Sequence, residues 1–330
     1  MTMSATRSGA AGKRRSPGPE MIITTVTLNP MLDKTVDVAS LKRGEIRRGE
    51  RVEMVVGGKG INVSRQLTRL GKKTVATGFF GGEIGVLLER LLSEEKIPHD
   101  FVRIGSMTRE GVTYREPGGS MTVVFEPPHE VTRREVEQLV RRCRKLAPSG
   151  GGWIVCCGSS PCRRTETVYR DLLAEAGRRG VETVLDSYGQ ALLRGIGSRP
   201  TLVKVNREEY ARSFRKNLGS PSSMQEAARR LLSLGARYAV ITDGPRPAFG
   251  AFHQSVWRVR PPRIKTVNPT GSGDSMLAGI LFGLTNGWSF PRSLQFGAAA
   301  GAANAGRWEV ACSSRRAIST IAHRVTVEEI

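Results

Sequence analysis

Asn268-Pro269-Thr270-Gly271-Ser272-Gly273-Asp274-Ser275-Met276 is the stretch on which the reading of this chain turns. Two glycines one residue apart leave backbone without Cβ atoms, able to take positive φ and to approach a ligand closely. Directly afterwards Met276, Leu277, Ile280, Leu281 and Leu284 recur at helical spacing, so the turn opens a helix. The first amides of a helix lack intrahelical acceptors and, with the helix dipole, favour negative charge in front of them. Asp274 stands at that entrance as a carboxylate able to take a proton from an attacking hydroxyl. Taken alone, an Asp near a helix start after a tight turn is a common structural device. The rest of the chain favours phosphoryl transfer.

Working back towards the amino end, strands alternate with helices, and most strands close on a polar or Gly-rich turn. Phe249 to Val259 has the pattern of a hairpin, and Tyr238 to Thr242 that of a strand ending at Asp243-Gly244-Pro245. Thr201–Val205, Val181–Leu185 and Trp153–Cys157 read as strands, the last closing on Gly158-Ser159-Ser160-Pro161. Between them fall a helix from about Glu166 and another opened by a capping box at Ser223 and Glu226, stopping near Gly235. A further capping box, Thr132 with Glu135, precedes an apolar stripe at Val136, Leu139, Val140, Cys143 and Leu146. Thr74–Phe80 is a strand and Ile84–Leu92 a helix. Val56-Gly57-Gly58-Lys59-Gly60-Ile61-Asn62-Val63 is a second glycine turn feeding a helix, and it matches neither the P-loop nor the GxGxxG pattern. Ile22–Leu28 is a buried first strand, with Asp33 just beyond its carboxyl end, the edge at which open α/β sheets bind ligands. Two regions of short alternating segments, near 34–55 and 101–126, break the α/β rhythm. They predict a small antiparallel β lid over a mostly parallel, Rossmann-type sheet flanked by helices.

Bulk properties narrow the function classes. A chain of 330 residues with 39% hydrophobic and 25% charged residues is globular, without an apolar run long enough to span a bilayer. The formal charge of +21 invites a nucleic-acid partner. Arginine is spread through nearly every segment, however, and no zinc-finger, RRM or KH signature accompanies it. Five cysteines without paired CxxC spacing suit neither a disulfide framework nor a zinc site, and fit reduced thiols in a cytoplasmic protein. Residues 1–20 are polar, small and basic. They read as a disordered basic extension or an added stretch, with Met21 a candidate start and residues 21–330 a single domain.

With both glycine turns in hand, the chain from about Met21 resembles the ribokinase-like (PfkB) carbohydrate kinases. Gly57-Gly58-Lys59-Gly60 with Asn62 matches the family's first signature, and Gly271-Ser272-Gly273-Asp274 its anion hole with the catalytic Asp. Within the family, Thr27-Leu28-Asn29-Pro30 followed by Asp33 is most similar to 1-phosphofructokinases and tagatose-6-phosphate kinases. The resemblance implies ATP and Mg²⁺ as cofactors, with Asp274 as the base. Backbone amides of Gly271, Ser272 and Gly273 would hold the charge of the migrating phosphoryl group. Asp33 and Asn62 would bind sugar hydroxyls against Gly57 and Gly58, with Ser159 in the turn beneath. Arg109 would contact the phosphate already on the substrate, assisted by Arg48 or Lys59. Lys204, Asn206, Glu209, Thr242, Gly244 and Asn304 would face the nucleotide, with Glu209 acting on Mg²⁺ indirectly through a bound water. The chain departs from many relatives in carrying Asn268-Pro269 where they have Asp-Thr, and Pro247 at the last glycine of the nucleotide loop.

The implied reaction is ATP-dependent phosphorylation of a ketohexose phosphate, foremost fructose 1-phosphate to fructose 1,6-bisphosphate. Tagatose 6-phosphate, fructose 6-phosphate or an unphosphorylated sugar or nucleoside are the alternative acceptors. A basic nucleic-acid-binding protein with a decayed kinase site is the alternative from another class. The exposed lid makes a homodimer through its sheet an expectation, and no membrane partner is expected.

Overall fold

A computed structural model describes residues 21–147 and 151–330; the extension expected at residues 1–20 lies outside the described residues. Its elements, in chain order, are strands β1 (Ile23–Thr27), β2 (Met31–Asp37) and β3 (Arg51–Gly57), helix α1 (Lys59–Arg69), β4 (Thr74–Gly81), α2 (Gly82–Glu94), β5 (Val102–Ile104), β6 (Arg109–Arg115), β7 (Met121–Phe125) and α3 (Arg133–Leu146). They continue with β8 (Trp153–Cys157), α4 (Val168–Arg178), β9 (Glu182–Asp186), α5 (Gly189–Gly195), β10 (Leu202–Asn206), α6 (Arg207–Phe214) and α7 (Pro221–Ser233). The last part holds β11 (Tyr238–Asp243), β12 (Arg246–Phe252), β13 (Ser255–Arg260), α8 (Ser272–Thr285), α9 (Phe290–Ala305), α10 (Arg315–Ala322) and β14 (Thr326–Glu329).

Ten strands form one sheet in the order β14-β13-β12-β11-β10-β9-β8-β1-β4-β5. The seven from β5 to β11 pair in parallel, and β12, β13 and β14 extend the sheet antiparallel. Strands β1 and β8 are fully buried, as continuous apolar runs in a sheet covered on both faces must be. One face packs on α3, α4 and α7 through Leu139, Leu173 and Leu231, the other on α1, α8 and α9 through Leu67, Leu277 and Leu294. From β1 the chain moves to β4 and β5 on one side; β8 to β11 lie on the other. The order therefore reverses beside β1, and the crevice at the carboxyl ends of β1 and β8 is where such a sheet takes ligands.

The lid is a separate four-stranded sheet, β3-β2-β6-β7. Its two hairpin ladders are antiparallel as expected, while the central pair, β2 with β6, runs parallel. Parallel pairing follows from connectivity, since β2 and β6 both leave the main sheet's carboxyl edge in the same direction. The lid's parts begin and end differently from the reading at 34–55 and 101–126. Strand β5 pairs with β4 at the edge of the main sheet, so the second lid part starts only at Arg109. Alternation over three residues looks alike in either sheet.

Two helix starts also differ. Ser220, not Ser223, caps α7, accepting from the Ser223 amide at 3.2 Å, and Pro221 supplies the preset φ of the first helical residue. A single 3₁₀ turn at Arg163–Thr165 delays α4 to Val168. The capping box of Thr132 with Glu135 is present. Among the described residues no helix is long and apolar enough to cross a membrane, and the five cysteines are free thiols.

Candidate active site

Two cavities open at the carboxyl edge of the sheet, and the turn before α8 is the wall between them. The first, about 210 Å³, is lined by Asp33, Asn62, Arg109, Ser159, Gly271 and Asp274, together with Gly57, Gly58 and Lys59. The second, about 410 Å³, is lined by Asn206, Thr242, Gly244, Ser272 and Gly273, with apolar walls from Val259, Ile264 and Ala302.

Gly271 takes a left-handed conformation at the start of α8, φ 73°, and a Cβ there would collide with Val310. The amide of Ser275 donates to the Gly271 carbonyl at 2.8 Å, while the Ser272 amide donates to the Pro269 carbonyl at 3.2 Å. The amides of Gly271, Gly273 and Asp274 carry no partner among the described residues. An anion in front of the helix is therefore met by Gly271, Gly273 and Asp274. The expected donor Ser272 is corrected: its N–H is spent closing the turn, although its residue lines the second cavity.

Asp274 is buried, and Asn62 Nδ2 donates to its Oδ2 at 2.8 Å. Burial pushes its carboxyl up to about 6, against the pull of the Lys59 ammonium. A carboxylate in that range is ionised near neutral pH yet basic enough to take a proton, as a general base requires.

Beneath the wall lies a charge network that sequence reading only half found. Asp186, fully buried at the end of β9, accepts from Lys59 Nζ and from Lys204 Nζ, each at 2.7 Å. Burial works to raise the Asp186 carboxyl, but Lys204 and Lys59 hold it below its ordinary value. Burial likewise works to lower Lys59, and Asp186 and Glu209 more than reverse it. Asp186 drew no notice in the sequence because it looks like any Asp closing a strand. Its signal was the pair of lysines, which need a buried counter-charge.

The network alters several expected roles. Lys59 is neutralised by Asp186 and Glu209, so it is corrected from a substrate-phosphate donor to the pivot of an ion-pair cluster. Lys204 is almost wholly buried, with its Nζ 3.4 Å from where a Cβ on Gly273 would stand. It therefore lends positive charge under the helix start rather than direct contact with a nucleotide. Asn206 and Glu209 form the capping box of α6, Asn206 Oδ1 accepting from the Glu209 amide and Glu209 Oε2 from the Asn206 amide, both at 2.8 Å.

The first cavity is richer in unmet polar groups than the sequence alone suggests. Asn29 Nδ2 donates to Ser159 Oγ at 2.9 Å, while Asn29 Oδ1, Thr27 Oγ1 and Arg109 Nε are buried without a partner among the described residues. All four residues line the first cavity. Buried polar atoms ordinarily find partners, so their clustering here points to a polyhydroxylated ligand. The Asp33 carboxyl likewise has no hydrogen-bond partner among the described residues, and burial raises it. Thr27, Asn29 and Tyr188 join the lining beyond the residues expected.

Two expectations fail outright. Arg48 is exposed in the loop between β2 and β3 and is not among the residues that line either of the two cavities. Asn304 is buried beneath the turn rather than open to a nucleotide. Its Nδ2 donates to the Thr270 carbonyl at 2.7 Å, and its Oδ1 accepts from the Ala311 amide at 2.6 Å.

For Mg²⁺, the described residues hold no group of three or more His, Cys, Asp or Glu that could bind a metal by themselves. Mg²⁺ as a rule keeps several waters and draws many of its other ligands from phosphate oxygens. Glu209, one oxygen on Lys59 and the other on the Asn206 amide, fits only an outer role through water.

Comparison with known proteins agrees with this geometry. A family model described as pfkB family carbohydrate kinase matches residues 26–314. Phosphofructokinase-2 from Escherichia coli, solved with potassium, superposes with a TM-score of 0.86 at 27% identity, over 92% of this chain and 98% of that one. A possible 1-phosphofructokinase from Thermotoga maritima gives 0.85 at 27%, over 94% and 99%. Ribokinase from Thermotoga maritima gives 0.72 at 17%, over 91% and 99%, a likeness of fold. With two glycine turns, a buried carboxylate at the second and the matching model, the chain belongs to the pfkB family of carbohydrate kinases and is a phosphotransferase.

Proposed function

We propose that this kinase transfers the γ-phosphoryl group of ATP to a ketohexose phosphate, foremost fructose 1-phosphate, giving fructose 1,6-bisphosphate. The observation that carries this reading is Arg109. Arg109 lines the cavity that also holds Asp274, its guanidinium lies 5.5 Å from the centre of the Phe125 ring, its Nε is buried with no partner among the described residues, and burial lowers its pKa. A dianionic phosphate on the sugar would supply the missing acceptor and the counter-charge.

In this reading Asp33 and Asn29 bind sugar hydroxyls and orient one of them towards Asp274. Asp274 takes its proton as the hydroxyl oxygen forms a bond to the γ-phosphorus and the bond to the β-phosphate oxygen breaks, releasing ADP. The amides of Gly271, Gly273 and Asp274 meet the charge spread over the migrating group. Asn206, Thr242 and Gly244 border the nucleotide, whose base would lie on the apolar wall at Val259 and Ile264. Mg²⁺ would neutralise phosphate charge, with Glu209 reaching it through water. The lid closes over the sugar to exclude water from the transfer.

Fructose 6-phosphate is the second acceptor to test, because Escherichia coli phosphofructokinase-2 was solved with it. A coupled ADP-release assay across fructose 1-phosphate, fructose 6-phosphate, tagatose 6-phosphate and ribose decides the matter. The expected result is the highest kcat/KM on fructose 1-phosphate; a preference for ribose would overturn the phosphate-bearing acceptor.

We further propose a homodimer through the outer face of the lid. The register places Met54 and Val124 in one cross-strand row, with Val52 on the same face, and all three are about half exposed. Phosphofructokinase-2 from Escherichia coli has a tetrameric form, which shows that relatives assemble.

A further inference from the structure

Within the loop between α9 and α10, the stretch from Arg307 to Cys312 touches both the lid and the anion-binding turn. On the lid side, Trp308 Nε1 donates to Glu53 on β3, and the Arg115 guanidinium of β6 lies 3.6 Å from the centre of the indole ring. Arg115 is itself held to Asp37 on β2 by two hydrogen bonds of 2.6 Å. Three lid strands thus converge on one side chain. Beyond the indole, the lid and this loop enclose a cavity of about 480 Å³ that shares Asp33, Thr270 and Val310 with the sugar cavity.

On the other side, the backbone of the same loop supports the turn. The Trp308 carbonyl accepts from Asn268 Nδ2 at 3.0 Å, and Asn268 Oδ1 accepts from the Thr270 amide at 3.0 Å. Val310 packs against Gly271, and the Ala311 amide is tied to Asn304, which also holds the Thr270 carbonyl. Asn268 is suited to this because its amide both donates and accepts; an aspartate there would set a carboxylate against the Trp308 carbonyl.

We propose that Trp308 is a positioning residue that couples the lid to the anion-binding turn, so that a sugar phosphate seated under the lid aligns the Gly271, Gly273 and Asp274 amides for transfer. The coupling runs from Glu53 and Arg115 through the indole to the Trp308 carbonyl, and from there through Asn268 to Thr270. Its catalytic consequence rests on the proposed function. The physical link does not.

Hydrogen–deuterium exchange on the full chain tests the link without turnover. Trp308→Ala is expected to raise exchange both in the lid peptide spanning 51–57 and in the turn spanning 268–276. Trp308→Phe, which keeps a ring for Arg115 but loses the donor to Glu53, should loosen the lid peptide and largely preserve the turn. Increased exchange confined to the lid in Trp308→Ala would overturn the coupling, and so would an unchanged pattern. If Trp308→Ala fails to fold, Glu53→Gln with Arg115→Gln loosens the same latch from the lid side and should produce the same paired change. In the kinase assay Trp308→Ala should lower kcat by about tenfold with a smaller change in KM for ATP. Sugar-independent ATP hydrolysis should rise relative to transfer, and Trp308→Phe should restore most of kcat. A purely structural role would lower the active fraction without altering that ratio. Wild-type inactivity on every sugar phosphate would sink the functional reading alone, since the exchange pattern still decides the coupling.

Discussion

Asp274 combines two properties that a surface carboxylate lacks: burial, which pushes it up to about 6, and an amide donor, Asn62, that fixes its orientation. The expected kcat/KM profile therefore falls about tenfold per pH unit below that value and is flat above it until another group titrates. Lys59 works to keep Asp274 ionised, so Lys59→Met should move this limb to higher pH, read from the same profile. The shift also bears on stability. The folded carboxyl lies at about 6 and the free one at 3.8, so the native state holds the proton more tightly between them. Stability from this group is greatest below that window and declines as pH rises through it. Asp274→Asn removes the cost of ionisation, and its Tm at pH 8 should exceed that of the wild type by about 1–4 °C in a thermal melt. If Arg109 holds the acceptor's phosphate as proposed, Arg109→Ala should cost about 2–5 kcal/mol in kcat/KM on a sugar phosphate, and little on an unphosphorylated sugar.

At the scale of elements, the start of α8 depends on a glycine that no other residue replaces cheaply. Gly271→Ala must accommodate a positive φ and a collision with Val310, and it should lower kcat by about 10²-fold while leaving ATP affinity nearly intact. Single-turnover kinetics with separate nucleotide titration would separate the two. Both glycine turns and their helices were legible because apolar spacing and Cβ-free backbone are local signals; so were β1, β8 and the capping box at Thr132. Less legible was whatever depended on partners distant in sequence. The assignment of β5 to the main sheet is one case, fixed by pairing with β4 rather than by its own residues. Asn304 and Asp186 are others. Each is defined by groups met across the fold, Ala311 and Thr270 for the first, two lysines for the second. Arg48 failed for the opposite reason, since a charge near a motif says nothing about whether it lines the site.

Across the described molecule, the carboxyl edge of one sheet holds two cavities with the α8 turn between them, and a lid whose inner face borders the first of them. In the proposed reading, that arrangement would let nucleotide and sugar enter separately and meet at Asp274. The lid's outer apolar face should be covered in solution: Met54→Lys with Val124→Lys is expected to shift a dimer to a monomer in analytical ultracentrifugation, with the far-UV spectrum unchanged. The central claim is that a buried carboxylate deprotonates the sugar beside free helix amides, and the most direct test is turnover of Asp274→Asn in the ADP-release assay on fructose 1-phosphate at pH 8. The account predicts a kcat at least about 10²-fold below wild type with ATP still bound; a kcat equal to that of the wild type would contradict it.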